Sequence, residues 1–131
     1  MARPKHENPT PAELEILHLV WQEGALTVRQ VMEHLDRVRP RAYTSVMSLL
    51  NVMTDKGLLE RQIEGRAFVY AAKVQREQAL GEMVADLLGR AFGGSANALV
   101  AHLLEQANPD RRELEEIRKT IREYQQEQPT R

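Results

Sequence analysis

The chain has 131 residues, of which 42% are hydrophobic and 28% charged, with a formal net charge of −1. The length allows one modest core or a small domain plus an appendage, and the composition is ordinary for a soluble globular protein. Without cysteine, disulfides, thiolate metal sites and cysteine nucleophiles are excluded. No run approaches the ~18 apolar residues of a membrane span, and Met1 to Thr10 carry no signal-peptide pattern, so a cytoplasmic location without membrane insertion is expected. Aromatic residues make up only 5%, so the core must be built from Leu, Val, Ile, Met and Ala.

A first helix is announced by Thr10-Pro11-Ala12-Glu13. Thr10 suits the N-cap, Pro11 the first turn, and Glu13 closes a capping box. Leu14, Leu17, Val20 and Trp21 follow at helical spacing, and Glu23-Gly24 ends the run. Thr27-Val28-Arg29-Gln30 is a second capping box, followed by Val31, Met32 and Leu35. The charged segment Asp36 to Arg41, which contains Pro40, reads as a loop. A third helix is expected from Tyr43 to Lys56, stopped by Gly57. Its apolar positions Val46, Leu49, Leu50 and Met53 lie on one side. At 100° per residue, Thr44, Ser48, Asn51, Val52 and Asp55 fall on the other. This outward face is short and mostly uncharged, where a solvated helix more often carries Lys and Glu.

Leu59, Arg61 and Ile63 then alternate, as do Phe68 and Tyr70, on either side of Glu64-Gly65-Arg66. That pattern predicts a β-hairpin. From Gln75 onward the pattern is helical. Leu80, Val84, Leu87 and Ala91 form one seam before Gly93-Gly94. Leu99, Val100, Leu103 and Leu104 mark a short helix before Asn108-Pro109-Asp110. Leu114, Ile117, Ile121 and Tyr124 then form an a/d seam on a last helix.

Three helices followed by a hairpin in about 70 residues is the order of a winged helix-turn-helix, whose recognition helix lies in the major groove. The expected fold is therefore mainly α with a small β-hairpin wing. It comprises a winged-helix DNA-binding domain over residues 1–73 and a helical dimerisation arm over residues 74–131. Short polar side chains let a helix approach base edges, where Ser and Thr bond several bases and Asn favours adenine. The candidate DNA-binding residues are Arg41, Tyr43, Thr44, Ser45, Ser48, Asn51, Lys56, Arg61 and Arg66. Among these, Arg41, Lys56, Arg61 and Arg66 are the phosphate candidates. Residues 37–66 hold six basic against three acidic side chains, which fits that role and equally fits an ordinary mixed surface. The polar helix face likewise has a solvated reading, Tyr43 a packing reading, and Arg66 that of a turn cation.

The arm's seams cannot all be buried on so small a domain, and exposed seams call for a partner. Leu80, Val84, Leu87, Leu99, Leu103, Leu114, Ile117, Ile121 and Tyr124 are the candidate dimerisation residues. A twofold dimer presents two recognition helices to two half-sites. His6, His18, His34 and His102 are scattered without metal-ligand spacing. No nucleophile triad, phosphate loop or His-Glu motif is visible. No enzyme activity, cofactor or metal is therefore expected.

The chain resembles the BlaI/MecI/CopY family of penicillinase-type repressors. Most specific is Ala42-Tyr43-Thr44-Ser45-Val46-Met47-Ser48-Leu49-Leu50 with Lys56-Gly57-Leu58. Supporting it are Leu14-Glu15-Ile16-Leu17 with Trp21, Thr27-Val28-Arg29-Gln30-Val31, Phe68-Val69-Tyr70, and Leu114-Glu115-Glu116-Ile117-Arg118. The resemblance spans Pro11 to about Tyr124. It implies a homodimeric repressor of resistance, cell-envelope or stress genes, bound to double-stranded dyad operators with TACA/TGTA-like arms. In antibiotic-sensing members it also implies a membrane sensor metalloprotease system that triggers cleavage in the dimerisation region. Two departures stand out. Val52-Met53 replaces the family's Arg-Leu pair late in the recognition helix, and His102-Leu103 occupies the position of the Asn-Phe scissile bond. The copper-responsive branch, with its C-terminal cysteine motif, does not apply to a chain without cysteine. The alternative from the residues alone is a winged-helix protein-interaction module without sequence-specific DNA binding.

Overall fold

The computed structural model describes residues 8–128. The elements in chain order are α1 (Pro11–Glu23), β1 (Leu26–Thr27), α2 (Val28–Asp36), α3 (Tyr43–Asp55), β2 (Leu59–Glu64), β3 (Ala67–Ala72), α4 (Arg76–Phe92), α5 (Ala96–Ala107) and α6 (Arg111–Glu127). Contacts divide the chain into two compact units, the first reaching Asp86 and the second beginning at Leu87.

Both expected capping boxes form. The Thr10 hydroxyl accepts from the Glu13 N–H while Glu13 Oε1 accepts from the Thr10 N–H, at 3.2 and 2.9 Å. Thr27 and Gln30 repeat this reciprocal pair at the same two distances. Each box satisfies donors that a helix start otherwise leaves orphaned. Gly24, at φ 87°, ends α1.

The core of the first unit is continuous. Ile16, Leu17 and Val20 of α1 meet Val31 and Leu35 of α2, Val46, Leu50 and Met53 of α3, and Leu26, Leu58, Leu59 and Tyr70. The buried face of α1 therefore includes Ile16, while Leu14 and Trp21 are half-buried at its edge. Trp21 keeps its indole at the margin because Nε1–H donates to the Val74 carbonyl at 3.0 Å. The first turns of α4 belong to this unit, beyond the change of sequence pattern at residue 73. There Ala79 is buried and Asp86 accepts a hydrogen bond from the Asn8 amide.

The hairpin is the outer part of a three-stranded antiparallel sheet ordered β1-β3-β2. Leu26 pairs with Tyr70 and Thr27 with Val69, so β3 is the central strand. Between β2 and β3 the register runs from Leu59 opposite Ala72 to Glu64 opposite Ala67. That leaves a two-residue turn, Gly65-Arg66, with Gly65 at φ 65°. A glycine with positive φ at the first turn position suits a II′ hairpin, whose twist matches the strands.

The second unit is helical. Gly93 and Gly94, at φ 57° and 83°, follow α4. Ser95 caps α5 by accepting from the Ala98 N–H, and Asp110 caps α6 by accepting from the Glu113 N–H. Asn108 takes the left-handed conformation, φ 46°, between the two. Among the described residues, α5 and α6 contain no buried side chain.

Candidate nucleic-acid interface

α3 divides its residues as its sequence predicts. Val46, Leu50 and Met53 are buried, with Leu49 half-buried beside them. Tyr43, Thr44, Ser45, Ser48, Asn51 and Val52 are all exposed. Thr44, Ser48, Asn51 and Asp55 succeed one another at spacings of four, three and four, which is a single ridge along a 3.6-residue helix. The ridge is polar, short and open, so the helix backbone can come close to a partner's surface. Tyr43, 59% exposed at the start of the helix, stands out from the core rather than packing into it.

The wing contributes a different chemistry. Leu59 and Tyr70 anchor its base in the core, but the alternation turns outward toward the tip. Ile63 and Phe68 pair across the strands, 75% and 45% exposed. The Arg61 guanidinium lies 4.5 Å from the centroid of the Phe68 ring, a cation–π contact that orients the cation without neutralising it. Arg61 is exposed, as is Arg66 at the turn.

The other two phosphate candidates stand differently. Arg41 is turned inward: Nη1 and Nη2 donate to the two Glu15 oxygens at 2.7 and 2.9 Å, and its side chain is only 13% exposed. Lys56 Nζ donates to Glu13 Oε2 at 2.9 Å. Both cations flank α3, as the sequence suggests, but each already has a carboxylate partner from α1.

Those carboxylates are functional candidates that periodicity does not reveal. Glu13 is 2% exposed, the sole buried charged residue among those described. Burial pushes its pKa up, but the Thr10 backbone N–H, the Lys56 ammonium and the Thr10 hydroxyl outweigh it and leave the carboxyl below its ordinary value. The hydrogen bonds from Arg41 lead in lowering Glu15, opposed by burial and reinforced by the charges of Arg41 and Arg39. Arg41 is raised in return, chiefly by its bonds to Glu15.

The seam positions of the arm lie mostly in the open. Val84, Leu87, Leu103, Ile121 and Tyr124 are exposed, and Leu80, Leu99, Leu114 and Ile117 are half-buried. His102 and Leu103 sit within α5, where the His102 ring meets Phe92 edge-on at 5.3 Å.

A three-helix core with a strand-flanked wing and a polar exposed third helix defines the winged-helix class of DNA-binding domains. The chain belongs to the penicillinase repressor family, whose model matches residues 9–123. It is 32% identical over 109 residues to the transcriptional regulator BlaI of Mycobacterium tuberculosis, covering 82% of this chain and 78% of that protein. It is 24% identical over 113 residues to the penicillinase repressor of Bacillus licheniformis, covering 86% and 88%. In fold it is similar to the DNA-binding domain of the repressor BlaI solved in solution. The TM-score is 0.50 at 24% identity, over 56% of this chain and 90% of that domain. Members of this family are transcriptional repressors, and no helix among the described residues is long and apolar enough to cross a membrane.

Proposed function

We propose that this protein is a homodimeric repressor that reads a palindromic operator with α3 and the wing. One observation carries the reading: the ridge of Thr44, Ser48 and Asn51 lies open along α3 while Val46, Leu50 and Met53 fill the core on its other side. Ser and Thr hydroxyls and the Asn amide match base-edge donors and acceptors. Tyr43 and Ser45 flank the ridge at its start. Arg61 and Arg66 of the wing lie over the flanking phosphates, where they position the domain without reading sequence.

Two copies give two reading helices, and the arm supplies the contact that joins them. Leu80, Val84, Leu87, Leu99, Leu103, Leu114, Ile117, Ile121 and Tyr124 form that interface in this reading, with residues 74–131 as the dimerisation domain. TACA/TGTA-like arms are the expected half-sites, in front of resistance, cell-envelope or stress genes. Release occurs in the arm at His102–Leu103, triggered by a membrane sensor metalloprotease system. Because that bond lies inside α5, cleavage requires local unwinding of the helix first.

A salt series on a dyad duplex tests the function. A repressor of this kind loses affinity steeply, with a log–log slope of about −0.9 for each phosphate neutralised. A flat response with no preference among duplexes leaves the protein-interaction module in its place.

A further inference from the structure

The two ends of α3 are held by the same helix. Arg41 immediately precedes the N-cap Ala42, and Lys56 is the C-cap. Arg41 is gripped in bidentate fashion by Glu15 of α1, at 2.7 and 2.9 Å. Lys56 is held by Glu13 of α1, at 2.9 Å. The Glu13 carboxylate is itself fixed, since its other oxygen accepts the Thr10 N–H in the capping box. Val46, Leu50 and Met53 also attach α3 to the core, through apolar contacts. Apolar packing constrains the roll and axial shift of a helix by shape, through interdigitating side chains. Paired charges with hydrogen-bond geometry at both ends add a directional constraint. Base-edge recognition demands that precision, because contacts held loosely lose discrimination.

We propose that Glu13 and Glu15 are positioning residues for base reading. They fix the roll and register of α3 on the domain, and Arg41 and Lys56 are the anchors of that clamp rather than phosphate ligands. The inference rests on the reading of α3 as the DNA-reading helix. It reassigns two of the four flanking cations and gives α1 a part in specificity through its hold on α3.

The test uses the full chain and a duplex enriched by the parent protein from a randomised pool, with a scrambled duplex as reference. The readout is the ratio of the two affinities. Glu15→Arg and Arg41→Glu each lower that ratio about tenfold, comparable to one mismatched base pair. Combining them rebuilds the pair with its charges exchanged and restores most of the ratio. Arg41→Met leaves the salt slope at the parental value. A double variant whose ratio stays as low as that of the singles overturns the proposal. So does a slope shallower by about 0.9 for Arg41→Met, since it marks a direct phosphate contact. Should a charge-reversed variant not fold, Glu13→Gln and Glu15→Gln keep the side-chain shape and decide the matter. A reduced ratio with an unchanged salt slope supports the clamp, and parental discrimination in both overturns it. A parent that enriches no duplex defeats the DNA-reading function itself, and the clamp with it.

Discussion

At the scale of the residue, α3 separates two kinds of side chain that differ in what they cost to replace. Ser48 and Asn51 are exposed, so Ser48→Ala and Asn51→Ala should leave the thermal midpoint nearly unchanged. Each should relax base preference by ~1–3 kcal/mol where its contact is well made. Competition against single-base operator variants measures this, and variants that discriminate like the parent move the reading face elsewhere. Glu13 belongs to the other kind. Its folded-state pKa lies below the ordinary value near 4.5, so its stabilisation is fully present above that value and is lost as pH falls through the lowered one. Midpoints recorded from pH 6 downward should therefore fall more steeply in the parent than in Glu13→Gln; parallel curves would show that the carboxylate does not titrate with unfolding. The outward ridge was legible because Thr44, Ser48 and Asn51 obey a local period. The clamp was not, because Glu15 and Arg41 stand 26 residues apart and Glu13 and Lys56 stand 43 apart. No pattern within a helix encodes which distant carboxylate will meet a cation.

At the scale of the element, helix starts were the most readable feature, since a capping box is complete within four residues. Thr10 and Glu13 close one such box, as do Thr27 and Gln30. β1 leaves no mark in the sequence because it is only two residues long, and its Thr27 is also the cap of α2. A strand that short has no alternation, and pairing with Tyr70 and Val69 is what defines it. The wing showed its alternation in sequence but not its depth. Nothing in Leu59-Glu60-Arg61-Gln62-Ile63 marks where the core ends and solvent begins. α3 starts without such a cap, because its N-cap is Ala42, which supplies no side-chain acceptor. Ala42→Ser should add that acceptor and stabilise the protein by ~1 kcal/mol. Ala42→Asp should add a similar stabilisation while placing a negative charge at the entry to the reading helix. The combination expected for Ala42→Asp is a higher thermal midpoint with weaker binding to every duplex. Both quantities falling together would mean that residue 42 is not free to cap.

At the scale of the whole molecule, the two units are stabilised differently. The first has a continuous core with several fully buried side chains, including Ile16, Leu17, Leu50 and Tyr70. In the second, α5 and α6 have no fully buried side chain among the described residues. α6 is a 17-residue helix whose charged face carries Arg112–Glu116 and Arg118–Glu115 pairs. Such pairs contribute only ~0.2–0.5 kcal/mol each to an isolated helix, and isolated helices near this length are marginal in water. Leu114, Ile117, Ile121 and Tyr124 at spacings of three, four and three make the seam that a second copy would cover. Replacing Leu114 and Ile121 together by Asp puts two charges on that seam, and desolvating them would cost more than the remaining apolar contacts return. Sedimentation should then show monomers. Operator affinity should fall because the two reading helices no longer share one effective concentration. The first unit has a core built from its own residues and should keep its cooperative unfolding. A dimer that persists in this double variant would place the contact between copies on a surface other than α6.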